Sequence, residues 1–88
     1  MNYLDPQPLS LETDYEILRN VGINIILTTH GVLEIRVKLY DSFVLIHSLN
    51  NCSEDDKNSF IRRLVRQPNQ SKMSAFIEAQ VKVWEKFG

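Results

Sequence analysis

Residues 32–49 read VLEIRVKLYDSFVLIHSL. From Leu33 to Leu39 apolar and charged residues alternate without a break, the period of a strand with one buried and one wet face. From Phe43 to Ile46 the alternation stops and four large apolar residues follow one another. The two segments are separated by Tyr40, Asp41 and Ser42, which suit a turn. The stretch therefore predicts two adjacent antiparallel strands, the second apolar on both faces.

Working back towards the N-terminus, INIILT (Ile23 to Thr28) is rich in β-branched residues and predicts a further strand. Between it and Leu33 lies THG, Thr29 to Gly31, which fits a three-residue hairpin loop with glycine in the left-handed position. Register follows from side-chain facing. A two-residue loop sets Leu27 against Glu34 and Ile25 against Arg36. A three-residue loop sets Leu27 against Leu33, Ile25 against Ile35 and Ile23 against Val37. A slip of one residue reverses every side chain, so the all-apolar pairing is the expected one. It leaves Glu34, Arg36 and Lys38 on the far face as a solvated charge ladder.

Helices flank this three-stranded meander. Thr13 and Glu16 have capping-box spacing, with Ser10 as a competing start. Leu11, Tyr15, Leu18 and Val21 then share one helical face with Ile17 at its margin, and Gly22 supplies the left-handed stop. After the loop NNCS, Ser53 is an N-cap, and Glu54, Asp55 and Asp56 place negative charge in the first turn. Phe60, Ile61, Leu64 and Val65 form the apolar face of that helix, which ends before Pro68. The last helix runs from near Ser71 towards Phe87. The expected fold class is α+β, a three-stranded antiparallel meander packed with helices in the order α-β-β-β-α-α. Positions 1–9, with Pro6 and Pro8, are expected to form an extended arm, loose or laid across the sheet or a partner. Positions 10–88 form a single α+β domain.

Composition bounds the function. The 88 residues carry a net charge of −1 with 43% apolar and 24% charged residues, an ordinary globular balance. A chain this short buries a modest core and often relies on a partner or a second copy. A nucleic-acid binder usually has a basic excess, which is missing here. The first residues carry acids and prolines rather than a basic or apolar leader, and no run approaches the roughly 20 apolar residues of a membrane span. The expectation is a soluble cytoplasmic protein with no membrane partner.

His30, His47 and Cys52 are the whole supply of soft ligands and nucleophiles. They have no metal-ligand spacing, so no metal and no cofactor is expected. Contact between Cys52 and His47 is conceivable across a bend, but the plainer reading is a surface thiol and two unremarkable imidazoles. Asp55 and Asp56 diverge by about 100° on a helix and cannot flank one bond. The three glycines are isolated and cradle no phosphate. No small-molecule substrate and no enzyme activity are expected.

Two clusters remain. Arg62, Arg63 and Arg66 have no acidic residue three or four positions earlier, and Lys72 follows the helix break. They could form a ridge for phosphates or acidic side chains, assisted by Arg36 and Lys38. The plainer reading is a wet helix end that complements the dipole, and no interleaved aromatics offer base stacking. In the last helix, Met73, Phe76, Ile77, Val81, Val83, Trp84 and Phe87 make a broad apolar arc broken by Gln80, whose amide needs partners. Trp84 and Phe87 serve either as interface anchors or as core.

The doubly apolar third strand is the leading functional signal. One of its edges is open, and each uncovered large side chain forgoes on the order of 1.5–3 kcal/mol of burial. Its cover is the N-terminal arm, the chain's own helices, or a second molecule. The expectation is a small non-enzymatic interaction module, an adaptor, regulator or inhibitor, homodimeric or bound to a protein target. Its contacts are Phe43, Leu45, Ile46, Gln80, Trp84 and Phe87. The alternative is a nucleic-acid-binding accessory protein that uses the arginine ridge.

Overall fold

Alternation of apolar and polar side chains makes a sheet with one face to bury, and three helices supply the second layer. The computed structural model describes the backbone of residues 7–87 and the side chains of residues 11–86. Along the chain the elements are α1 (Gln7–Asn20), β1 (Ile23–Leu27), β2 (Leu33–Leu39), β3 (Ser42–Leu49), α2 (Glu54–Leu64) and α3 (Gln70–Phe87). The α+β class and the order α-β-β-β-α-α are those read from the sequence. No helix among the described residues is long and apolar enough to cross a membrane.

The sheet order is β1-β2-β3, all antiparallel. Ile23 opposes Val37, Ile25 opposes Ile35 and Leu27 opposes Leu33, the pairing that side-chain facing demanded. Thr28 closes the loop by donating its N–H to Val32 O at 2.9 Å, and its Oγ1 accepts from Val32 N–H at 3.1 Å. Gly31 takes φ +79°, a value costly for any residue with a Cβ. Its carbonyl accepts the Cys52 N–H at 2.9 Å, so the hairpin tip is tied to the segment that follows β3.

Leu33, Ile35 and Phe60 are fully buried, with Leu18, Ile25, Ile61, Leu64 and Ile77 around them. Phe60 sits at the centre of the helical layer, stacked on Phe76 at 5.7 Å and edge-on to Trp84 at 5.2 Å. Every core position of β1 and β2 lies on the face shared by Ile23, Ile25, Leu33 and Ile35. All three helices therefore pack on one side, and among the described residues no helix lies over the opposite sheet face.

Two readings are corrected, and the start of α3 is as expected. First, α1 begins at Gln7, not at Thr13 or Ser10. Pro8 falls in its first turn, where proline has no intrahelical hydrogen bond to lose and its fixed φ suits the helix. The arm expected over 1–9 thus contributes 7–9 to α1, and 1–6 lie outside the described residues. Second, Cys52 is buried, not a surface thiol. α3 begins at Gln70, beside the expected start near Ser71, and Asn69 caps it, its Oδ1 accepting from Lys72 N–H at 2.9 Å. The Ser53 cap of α2 is as expected, its Oγ accepting from Asp56 N–H at 3.0 Å, and a return bond adds to it: Asp56 Oδ2 accepts from Ser53 N–H at 3.1 Å.

Candidate functional site

The answer to what lies against β3 begins with a bulge. Leu33 opposes Leu49 and Ile35 opposes His47, but Arg36 opposes Leu45, so Ile46 is an extra residue without a partner. Directly opposed residues point to the same side of a sheet. Phe43, opposite Lys38, and Leu45, opposite Arg36, therefore lie on the helix-free face. Val44, opposite Val37, lies on the helix side.

Neither side is covered at this point. Phe43, Val44, Leu45 and Ile46 are all 38–43% exposed. The causes differ along the strand: Leu45, beside Arg36, faces the open side, Ile46 bulges out opposite the step between Ile35 and Arg36, and Val44 and Phe43 lie where the hairpin begins to overhang. Burial along β2 runs from complete at Leu33 and Ile35 to 53% exposure at Leu39, so the helical layer covers one end of the β2–β3 hairpin and stops. Beyond Val37 the hairpin continues for about 10 Å at strand rise.

On the helix side the overhang borders an open cleft of about 280 Å³. Its floor is apolar, with Ile23, Val37, Ile46 and Ile77, and Gln70, Ser74 and Glu78 bring polar groups to it. On the opposite face, Ile26, Phe43 and Leu45 flank a central row formed by Glu34, Arg36 and Lys38. Arg36 Nη2 donates to Glu34 Oε1 at 3.0 Å, which holds the row flat against the sheet. At the hairpin tip Tyr40 is 97% exposed and has φ +58°. A tyrosine in the left-handed region costs roughly 1–2 kcal/mol relative to the right-handed one. Tyr40 and Asp41 are the two-residue loop that joins β2 to β3, and tight hairpin turns need a positive φ at the first loop position, so the hairpin itself imposes this backbone.

The remaining expected contacts divide. Trp84 is half-buried on Phe60 and belongs to the core margin. Gln80 is half-buried on α3, while Val83 is exposed. The side chain of Phe87 lies outside the described residues. These positions and the β3 overhang are not placed in one patch by any direct contact among the described residues.

The arginines do not form a single row. Arg62 and Arg63 are successive and diverge by about 100°. Arg63 places its guanidinium 5.9 Å from the Phe76 ring centre, turned towards α3, while Arg62 is half-buried and Arg66 lies past the helix end. Lys72, in the first turn of α3, is exposed.

Two features escaped the sequence reading. His47 Nε2 lies 2.8 Å from Glu78 Oε2, which fastens β3 to α3 across 31 positions. No local pattern announces a pair so far apart. Lys57 stands 5.4 Å over the Tyr15 ring and 2.9 Å from Glu54. Burial works against its charge, but hydrogen bonds to Tyr15 and Glu54 outweigh that and hold its ammonium above the ordinary range. Burial, with the Asp56 carboxylate second, pushes the Cys52 thiol up, so it is kept neutral. No group of three or more His, Cys, Asp or Glu side chains among the described residues could hold a metal ion.

Comparison with known protein families, curated proteins and solved structures gives no match for this chain.

Proposed function

We propose that this chain is a small protein-interaction module that acts by occupying a partner, through the β2–β3 overhang and the helix-free sheet face. The observation that carries the reading is the exposure of Phe43, Val44, Leu45 and Ile46, four consecutive large apolar residues, all 38–43% uncovered. Single exposed apolar residues are ordinary, but a contiguous run on an open edge is a template for association. Natural edge strands carry lysine, proline or charge to discourage pairing, and Ser42–Leu49 contains none of these. Its one protective device is the bulge at Ile46, and this leaves the segment before it regular. The reading makes the protein an adaptor, regulator or inhibitor, with binding and not turnover as its activity.

The nucleic-acid reading has less behind it. Its proposed ridge is divided between different directions, and Arg63 is already engaged with an aromatic ring.

Photo-crosslinking tests the interaction reading. A benzophenone side chain at Leu45, in cells, is expected to give a discrete protein adduct, while the same probe at Glu12 on α1 gives none. Absence of adducts at both Leu45 and Phe43, with the chain folded and abundant, refutes it.

A further inference from the structure

We propose that the partner is a second copy of this chain, added edge to edge on β3 in antiparallel fashion with a two-fold axis through Val44, giving a continuous six-stranded sheet. This rests on the interaction reading above and names its occupant.

The argument is one of register. In an antiparallel pair, directly opposed residues point to the same side, so a two-fold axis must pass through a residue and not between two. Along β3, Ser42 and Val44 lie on the helix side, Phe43 and Leu45 on the open face. Ile46 lines the cleft beside Ile77, again on the helix side. An axis through Val44 sets Val44 against Val44, Phe43 against Leu45 and Ser42 against Ile46 of the second copy. Every pair then shares a face, and both open-face pairs are aromatic against aliphatic, a favourable cross-strand combination. An axis through Leu45 fails two steps out, because it sets Phe43 against His47, which the bulge has turned to the other side. An axis through Phe43 sets Asp41 against Leu45. Of these three axes, the Val44 axis alone gives both Phe43 and Leu45 an apolar partner on the same face, the self-complementarity a two-fold interface requires.

Charge agrees. No ionised residue lies between Ser42 and Ile46, so two identical edges meet without like-charge repulsion. β3 is bonded to β2 alone within the sheet, which leaves its outer edge available. Size sets the strength. The exposed Tyr40 and the partly exposed Phe43 to Ile46 offer at most on the order of 1,000 Å² between two copies, the lower end of specific interfaces. Association is therefore reversible, with a dissociation constant on the order of micromolar to tens of micromolar.

The test uses the full chain. Sedimentation equilibrium from about 1 to about 500 µM is expected to fit a monomer–dimer equilibrium in that range. Val44→Lys, which acts twice across the axis, should weaken it about a hundredfold while leaving the circular dichroism melt intact. Leu45→Lys, on the open face, is the second variant if the first fails to fold. Oxidative trapping then locates the axis. Val44→Cys alone should form a disulfide dimer, because opposed Cβ atoms lie about 4.5–5.5 Å apart. Phe43→Cys or Leu45→Cys alone should trap poorly, and the two mixed should trap well. The unmodified chain, its Cys52 buried, should give none. A monomer up to the top concentration overturns self-pairing; so does a dimer that traps elsewhere. If the Leu45 photo-adduct then contains a different protein, the interaction reading survives without this one. If there is neither dimer nor adduct, both fall.

Discussion

Replacing Tyr40 by glycine should make the isolated chain more stable and its self-association weaker. Tyr40 is 97% exposed and sits at φ +58°, so the substitution removes almost no burial and relieves a left-handed backbone. The relief is roughly 1–2 kcal/mol, and the extra freedom of glycine in the unfolded chain takes back roughly 0.5–1 kcal/mol. A net gain of about 0.5–1 kcal/mol remains, which for a domain of this size raises Tm by about 3–6 °C. The assay is urea or thermal unfolding followed by circular dichroism at about 1 µM, below the expected association range. Tyr40→Asn should fall between the two, since asparagine tolerates the left-handed region better than other residues with a side chain. At high concentration the same glycine variant should sediment as a weaker dimer, because an aromatic at the rim of the contact is lost. A lower midpoint for Tyr40→Gly at low concentration would refute the reasoning, because it would mean that the ring already packs on its own chain.

Phe60→Ala, which removes a fully buried ring stacked on Phe76 and edge-on to Trp84, should cost about 3–5 kcal/mol. That is a large share of the few to about 13 kcal/mol expected for a chain of this length, and unfolding curves should show it; a loss under about 1 kcal/mol would place the core elsewhere. Cys52 should react with iodoacetamide at least about a hundredfold more slowly in the folded chain than in urea. Stability should also fall in base. The folded Cys52 thiol ionises above its ordinary value of 9.0 and Lys57 above 10.5, so both contributions are complete below those values. Each is lost as pH rises from its ordinary value through the higher folded one, and a urea midpoint that climbed above pH 9 would contradict the sign.

Much of this fold was legible because its signals are local. The β1–β2 register followed from facing alone, since only one loop length puts Ile25 on Ile35 and Leu27 on Leu33. The Ser53 cap and the left-handed glycines at 22 and 31 were equally local, whereas the return bond from Asp56 to Ser53 was not anticipated. The start of α1 was not, because proline in a first turn reads like proline in an extended arm. The bulge left no trace either. In a run such as FVLI, apolar on both faces, an extra residue disturbs no alternation, so only the paired backbone reveals that Ile46 is the one inserted. That insertion decides which side chains face the open surface. Cys52 sits in a segment of polar neighbours, and its place in the core, beside a bond from its N–H to Gly31 on the distant hairpin, is a tertiary feature. The His47–Glu78 contact and the turning of Arg63 onto Phe76 are products of helix docking, which composition does not encode.

Hydrogen exchange at residues 42–46, measured across a concentration series, tests the central claim most directly. If the outer edge of β3 is uncovered in the single chain and is the contact surface, those of its amides not bonded to β2 exchange rapidly at about 1 µM. They should slow together at several hundred micromolar, while amides of Leu33 and Ile35 stay slow throughout. Slow exchange along the whole of Phe43–Ile46 in the dilute chain, unchanged by concentration, would show that the polypeptide already covers this strand and would contradict the account.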